Sequence, residues 1–199
     1  MDKYLVSRAI LKRIIDEDQN FAFATKQELD NQVASDQEKR FVRALVSCEL
    51  HHHLVISFIV ERDFPDMANG EKQLLYLAIA NAAFLRTIEH AEVMSFLRNY
   101  FGNYKNDVDL EKINALLVAF QDSQDIVPDD VDRQSEQYLS LKYNTPEWLV
   151  KMWTKHLGRD LAERLMIANT RPVAQACRVN TLKVTTDDII ARQHGFERG

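Results

Sequence analysis

Residues 36–59 read DQEKRFVRALVSCELHHHLVISFI. Within them Phe41, Leu45, Cys48, His52, Val55 and Ile59 follow one another at steps of four and three. That spacing returns to the same side of an α-helix every turn, so it predicts one continuous helical seam facing a core. Upstream, Val6, Ile10 and Ile14 recur at fourfold spacing with Leu11 and Ile15 beside them, which predicts a helix from Tyr4 to about Ile15. Arg8, Lys12 and Arg13 fall on its remaining surface, and a second short helix is expected around residues 26–33.

Downstream, Asn69 can cap the next helix; Lys72 stands at its third position, so no capping box forms. Its seam runs Leu74, Ala78, Ala82 and Leu85, and its other faces are also rich in Leu, Ile, Ala and Phe. A helix apolar nearly all round belongs at the centre of a domain. Val93, Phe96, Leu97 and Tyr100 mark a further helix ending near Gly102, and Leu110, Ile113, Leu117 and Phe120 mark another. Residues 1–120 therefore read as an all-α bundle.

Composition agrees. The 199 residues hold only five glycines and four prolines, too little turn punctuation for many short strands. With 46% hydrophobic and 28% charged residues, the chain has the make-up of an ordinary globular protein. No window approaches a membrane span, and charges begin at Asp2 and Lys3, so neither a membrane segment nor a secretory signal is expected. Cys48 and Cys177 cannot form a disulfide framework. A soluble, cytoplasmic protein is the expectation.

The net charge of −5 is unevenly spread. Residues 121–140 carry Asp122, Asp125, Asp129, Asp130, Asp132 and Glu136 against Arg133 alone, while residues 141–199 hold ten basic residues against six acidic. The acidic run contains Pro128 and nothing periodic, so residues 121–143 read as a solvated linker. An acidic pI near 5.7 argues against wholesale coating of nucleic acid but leaves room for a local basic face.

Beyond the linker, Thr145 reads as an N-cap, with Pro146 at the first helical position and Glu147 complementing the helix dipole. Leu149, Met152, Trp153 and Leu157 give that helix an apolar face, and Gly158 ends it. A second helix is expected from Asp160 to Ala168, before Arg171 and Pro172 break the pattern. Residues 177–182 (CRVNTL) alternate like a strand, and Thr185-Thr186-Asp187-Asp188 opens one more helix ending at Gly195. The tail is thus a short α/β piece of two helices, one strand and one helix. A lone strand cannot satisfy its own backbone, so the expectation is that the sequence stops inside a domain.

Candidate chemistry is sparse. Cys48 sits in the apolar seam and reads as packing; Cys177 abuts Arg178, which favours thiolate, but stands where a strand residue is expected. Successive helical residues turn about 100° apart, so His51, His52 and His53 cannot all face one metal ion, with His52 assigned to the core seam. His90 and His156 read as surface residues. Trp148 and Trp153 face different ways on their helix, and Trp148, in its first turn, reads as a packing anchor. Residues 122–132 lack the pattern of a calcium loop. Lys151, Lys155, Arg159 and Arg164 are either a solubilising helix surface or a face for phosphates.

Three tail segments carry a family likeness: YNTPEWLVKMWTKHLG at 143–158, ANTRP at 168–172 and RVNTLK at 178–183. Together they resemble the region that precedes the catalytic domain in bacterial 16S rRNA cytosine-5 methyltransferases of the RsmB/Sun/Fmu type. The helical part resembles the NusB-like domain that opens those enzymes: Asp36 followed by Phe41 and Leu45 fits its third helix, and Asn114-Ala115-Leu116-Leu117 fits its Asn-Ala-x-Leu helix. Ala119 and Phe120 stand where an arginine usually follows, and His51-His52-His53 stands in place of a basic cluster, so the helical domain has lost positive charge.

The resemblance implies a NusB-like domain at 1–120, a linker at 121–143 and the start of an RNA-binding domain at 144–199. It implies S-adenosylmethionine as the cofactor of the full-length enzyme and a cysteine nucleophile for cytosine. Neither is expected in this chain. Its glycines (70, 102, 158, 195 and 199) form no glycine-rich cofactor loop, so no catalytic, cofactor or metal residue is assigned, and the catalytic domain is expected beyond Gly199. The job it implies is to position 16S rRNA, with no membrane role and no DNA specificity. Arg8, Lys12 and Arg13 on the first helix, and Lys151, Lys155, Arg171, Arg178 and Lys183 in the tail, are the RNA-binding candidates. A transcription-antitermination or protein-interaction module without enzymatic activity is the alternative, and a degenerate family member is a third reading.

Overall fold

The structure, a computed structural model, describes residues 2–30, 32–103, 108–121, 123, 125–171 and 178–192. Helix α1 (Lys3–Ile15) begins where Asp2 accepts hydrogen bonds from the Tyr4 and Leu5 backbone amides, both at 3.1 Å, satisfying two donors the helix cannot pair internally. Helix α2 (Phe21–Asp30) starts five residues earlier than the periodicity suggested. Helix α3 (Asp36–His51) carries a full capping box: Glu38 N–H donates to Ser35 Oγ, and the Glu38 carboxylate accepts from Ser35 N–H.

The predicted continuous seam is broken. Helix α4 (His53–Asp63) leaves α3 at 77°, with His52 alone between them out of helical geometry. Apolar spacing records which side is buried, not whether the axis is straight. Both halves bury the same stripe, so the period runs through the bend: Val42, Leu45 and Val46 on one side and Val55, Ile56, Ile59 and Val60 on the other all lie in the core.

Helix α5 (Asn69–Ala80) begins one residue before expectation, with Ala68 rather than Asn69 at the cap. As its all-round apolar character required, every residue from Lys72 to Ala80 is buried. The charge of Lys72 is kept inside by Glu61, whose carboxylate is 2.6 Å from Nζ. A π turn, Asn81–Leu85, extends α5 and ends at Arg86 in the left-handed region. Asn81, itself buried, secures the exit: its amide donates to Ile88 O and accepts from the Ile88 and Thr87 backbone amides. Helices α6 (His90–Asn103) and α7 (Leu110–Gln121) match the sequence pattern closely.

Residues 125–143, read from the sequence as part of a solvated linker, instead pack against the bundle. Ile126, Val127 and Val131 are buried against the bundle, and helix α8 (Glu136–Lys142) follows, capped by Ser135. The acidic run stays folded because arginines neutralise it. Arg133 reaches Asp125 and Asp129, each at 2.9 Å, and Arg62 on α4 reaches Asp130 at 2.9 Å. The count of charges hid the apolar residues between them.

Helices α9 (Glu147–Leu157) and α10 (Arg159–Asn169) form a hairpin turning at Gly158, whose φ of 78° and ψ of 158° suit only glycine. Pro146, not Thr145, is the cap of α9; Thr145 Oγ1 instead donates to Tyr143 O. Leu139, Val150, Ala162 and Met166 make a second, smaller core, bordered by Tyr138, Tyr143 and Trp153. The expected strand at 177–182 is not formed among the described residues: 178–184 instead carry a turn in which Asn180 Oδ1 accepts from Leu182 N–H and Asn180 O from Lys183 N–H. The turn satisfies locally the backbone that a lone strand would leave open. Thr185 and Asp188 then cap helix α11 (Thr186–Arg192). Pro172 and Cys177, and the helix end expected at Gly195, lie outside the described residues.

Candidate nucleic-acid interface

The eight RNA-binding candidates divide by what already holds them. On α1, Arg8 donates to Tyr100 Oη at 2.7 Å and lies over that ring, which ties it to α6. Arg13 is paired with Glu28 through Nε and with Glu17 at 3.6 Å through a terminal nitrogen, and the Glu28 contact raises its pKa. Only Lys12 of the three is exposed with no ion-pair partner among the described residues. The first helix thus spends most of its positive charge on its own bundle.

The tail spends less. Lys151 pairs with Glu147 at 2.6 Å, one turn away on an exposed helix face. Lys155, Arg171, Arg178 and Lys183 are exposed and have no ion-pair partner among the described residues. Arg164 is in the same condition, whereas Arg159 is structural, donating to Gln134 O at 2.6 Å and Arg133 O at 3.0 Å.

The hairpin that bears Lys151, Lys155 and Arg164 is set against the bundle by Asn144, a residue whose role the sequence did not disclose. Asn144 holds a left-handed conformation (φ 48°). Its Oδ1 accepts from Leu54 N–H at 2.9 Å and its Nδ2 donates to Leu50 O at 3.0 Å. Those are backbone groups orphaned by the break between α3 and α4. One side chain repairs the bend and fixes the start of the tail on it. The available signal was an asparagine two residues ahead of a proline, a turn former tolerant of positive φ.

Trp148 corrects another expectation. It is 66% exposed rather than a packing anchor, and Met152, one turn on, is 42% exposed. Trp153, five residues along, turns the other way into the second core, as the angular spacing implied. The anchor role passes to Val150, which is fully buried.

Other candidates resolve into structure. Cys48 Sγ–H donates to Ala80 O at 3.7 Å, and burial pushes its thiol up to about 11, far from a reactive thiolate. The three histidines point three ways: His51 to Ser47 O, His52 stacked on Phe84 at 3.5 Å, His53 to Glu49 at 2.6 Å. Among the described residues no group of three His, Cys, Asp or Glu side chains is placed to hold a metal ion. His90 is held by Asn114 at 2.8 Å rather than standing free, while His156 is exposed. No single helix among them is long and apolar enough to cross a membrane. A hollow of about 660 Å³ at the α4–α5 turn is ringed by Asp63, Asp66, Glu71 and Asp109 against Lys112, the wrong sign for phosphate.

Comparison with known proteins places these features. Residues 145–195 match the model of the RsmF/B-like methyltransferase ferredoxin-like domain. The chain is 24% identical, over 209 aligned positions, to a protein described as probable ribosomal RNA small subunit methyltransferase B of Bacillus subtilis (strain 168). That alignment takes in 96% of this chain but 44% of the relative, so the chain spans less than half the length of the curated protein it matches. No solved structure matches. The kinship suggested by the PEWLV and RVNTLK segments is supported: the chain is similar to the RsmB/Sun type, and residues 145–195 match the ferredoxin-like domain of the RsmF/B-like methyltransferases.

Proposed function

We propose that this chain is the RNA-gripping region of a SAM-dependent cytoplasmic rRNA cytosine-5 methyltransferase and that it holds 16S rRNA for a catalytic domain. In this reading residues 1–120 are a NusB-like domain, 121–143 a packed connector and 144–199 the start of the RNA-binding domain. S-adenosylmethionine would supply the methyl group. The glycines at 70, 102 and 158 stand singly at helix ends, and no strand precedes them among the described residues, so we assign this cofactor no residue here.

The observation that carries the reading is the uneven pairing of cations. Phosphate affinity depends on positive side chains that can exchange counterions for phosphates. Arg8 and Arg13 are committed to Tyr100 and Glu28, whereas Lys155, Arg171, Arg178 and Lys183 have no such commitment among the described residues. The tail is therefore the stronger grip and α1 the weaker, with Lys12 its available contact.

Titration of the full chain with a 16S rRNA fragment across salt concentrations tests this. Reversing Arg171 and Arg178 to Glu together is expected to weaken binding and to flatten the salt slope by about one unit or more, since each phosphate contact on single strands contributes roughly 0.7. Arg13→Glu should leave the slope nearly unchanged. Equal affinity and slope in the tail variant would overturn the proposal.

A second reading, a protein-interaction or antitermination module without activity, draws on the exposed Trp148, Met152, Leu157 and Leu161 of the hairpin. Capture of a defined protein partner unaffected by RNA would favour it.

A further inference from the structure

We propose that the outer face of α9 is a stacking platform for unpaired RNA bases, with Trp148 as the ring on which a base lies. This rests on the RNA-gripping function above and names its substrate as single-stranded rather than duplex RNA.

Trp148, Lys151, Met152 and Lys155 stand at positions i, i+3, i+4 and i+7, one face of one helix. All four are solvent-facing, with Trp148 at 66% and Met152 at 42% exposure. The opposite face, through Val150 and Trp153, is the one the second core uses, so nothing in the bundle asks Trp148 to be apolar. An indole left in water costs free energy unless it serves a contact.

Charge decides which contact. Trp148 and Met152 share this face with two lysines, Lys151 one turn and Lys155 two turns beyond Trp148, and Lys155 has no anionic partner among the described residues. Lys151 shares its charge with Glu147 across an exposed 2.6 Å pair, the kind that phosphate displaces at little cost. The backbone positions of the two lysines are four residues apart, about 6 Å along the axis, and their flexible side chains can reach successive phosphates of an extended strand. Base stacking on an aromatic ring with flanking cations is the general mode of single-strand recognition; a duplex keeps its bases stacked internally and offers none. A neutral protein surface would find the same ring but would gain nothing from the two lysines beside it.

The test uses the full chain carrying Trp153→Phe, so that emission reports Trp148 alone, with a thermal melt establishing that this background folds. It is titrated with a short unstructured oligocytidine and with an RNA duplex of equal length, over a range of salt. The expected result is quenching of Trp148 by the single strand but not by the duplex. In the parent chain, Trp148→Ala should weaken single-strand binding roughly tenfold while leaving the salt slope intact, and Trp148→Phe should recover most of that loss. Salt-dependent RNA binding with no quenching, or equal binding by Trp148→Ala, overturns the platform and leaves the proposed function standing. Equal quenching by duplex overturns it too, as does a Trp148→Ala effect on self-association without one on RNA. Absence of any RNA binding overturns both.

Discussion

At the residue scale, the histidine triplet shows one residue type put to opposite electrostatic uses. His52 is stacked face to face on Phe84, and burial, with His51 nearby, lowers its pKa to about 4. His53 is raised, chiefly by its hydrogen bond to Glu49, a carboxylate fully removed from solvent. The signs differ. The unfolded chain takes up a proton on His52 near pH 6.5 while the folded chain resists until about pH 4, so this residue subtracts stability as pH falls through that window. The His53–Glu49 pair contributes fully below pH 6.5 and loses its contribution as pH rises through the elevated folded value. His52→Phe keeps a ring against Phe84 without the titration. It is expected to recover about 2–3 kcal/mol at pH 4.5 relative to the parent and to change little at pH 7.5. Urea unfolding at the two pH values measures this, and an equal shift at both would show that the titration of His52 has no part in acid sensitivity.

At the element scale, the decisive join is between the α3–α4 bend and the residue before Thr145. A helix break leaves backbone groups that burial would penalise, and Asn144 satisfies one donor and one acceptor with a single amide. Asn144→Ala removes both bonds and places a Cβ-bearing residue without a compensating side chain at φ 48°. A loss of about 2–3 kcal/mol is expected. Asn144→Gly, which relieves the backbone strain alone, should lose less. Thermal or urea unfolding ranks the three proteins, and equality of the two variants would place the whole cost in the hydrogen bonds. Most helices were legible because apolar period and burial coincide, as in α5, α6 and α7. The bend at His52 was not, because period does not encode axis direction. Helix α8 and the buried Ile126, Val127 and Val131 were hidden by the acids around them, and the fate of Trp148 by the fact that sequence fixes a helical face but not its partner. The RNA candidates were legible as cations; which of them are spent on Glu28 or Tyr100 needed three dimensions.

At the scale of the whole molecule, two cores of unequal size are bridged by α8. Leu141 belongs to the large cluster, Leu139 to the small one, and Tyr138 borders both. The small cluster has four fully buried residues, Leu139, Val150, Ala162 and Met166, while α5 alone gives seven consecutive residues, Leu74 to Ala80, to the large one. Local stability follows buried apolar contact, so the hairpin that carries Lys155 and Trp148 should open more readily than the bundle. Under the proposed function, such an arrangement would give a rigid base with a more yielding grip for RNA. Native-state hydrogen exchange is expected to show amides of α5 exchanging only with global unfolding and those of α10 exchanging at a lower free energy. Leu139→Ala, which empties space in the small core, should cost about 2–4 kcal/mol in α9 and α10 protection and leave the difference between α5 exchange and global unfolding unchanged. Leu141→Ala should instead lower protection throughout. If α5 and α10 exchanged at the same free energy, and Leu139→Ala lowered both alike, the two cores would be one cooperative unit, and α8 a part of it rather than a bridge.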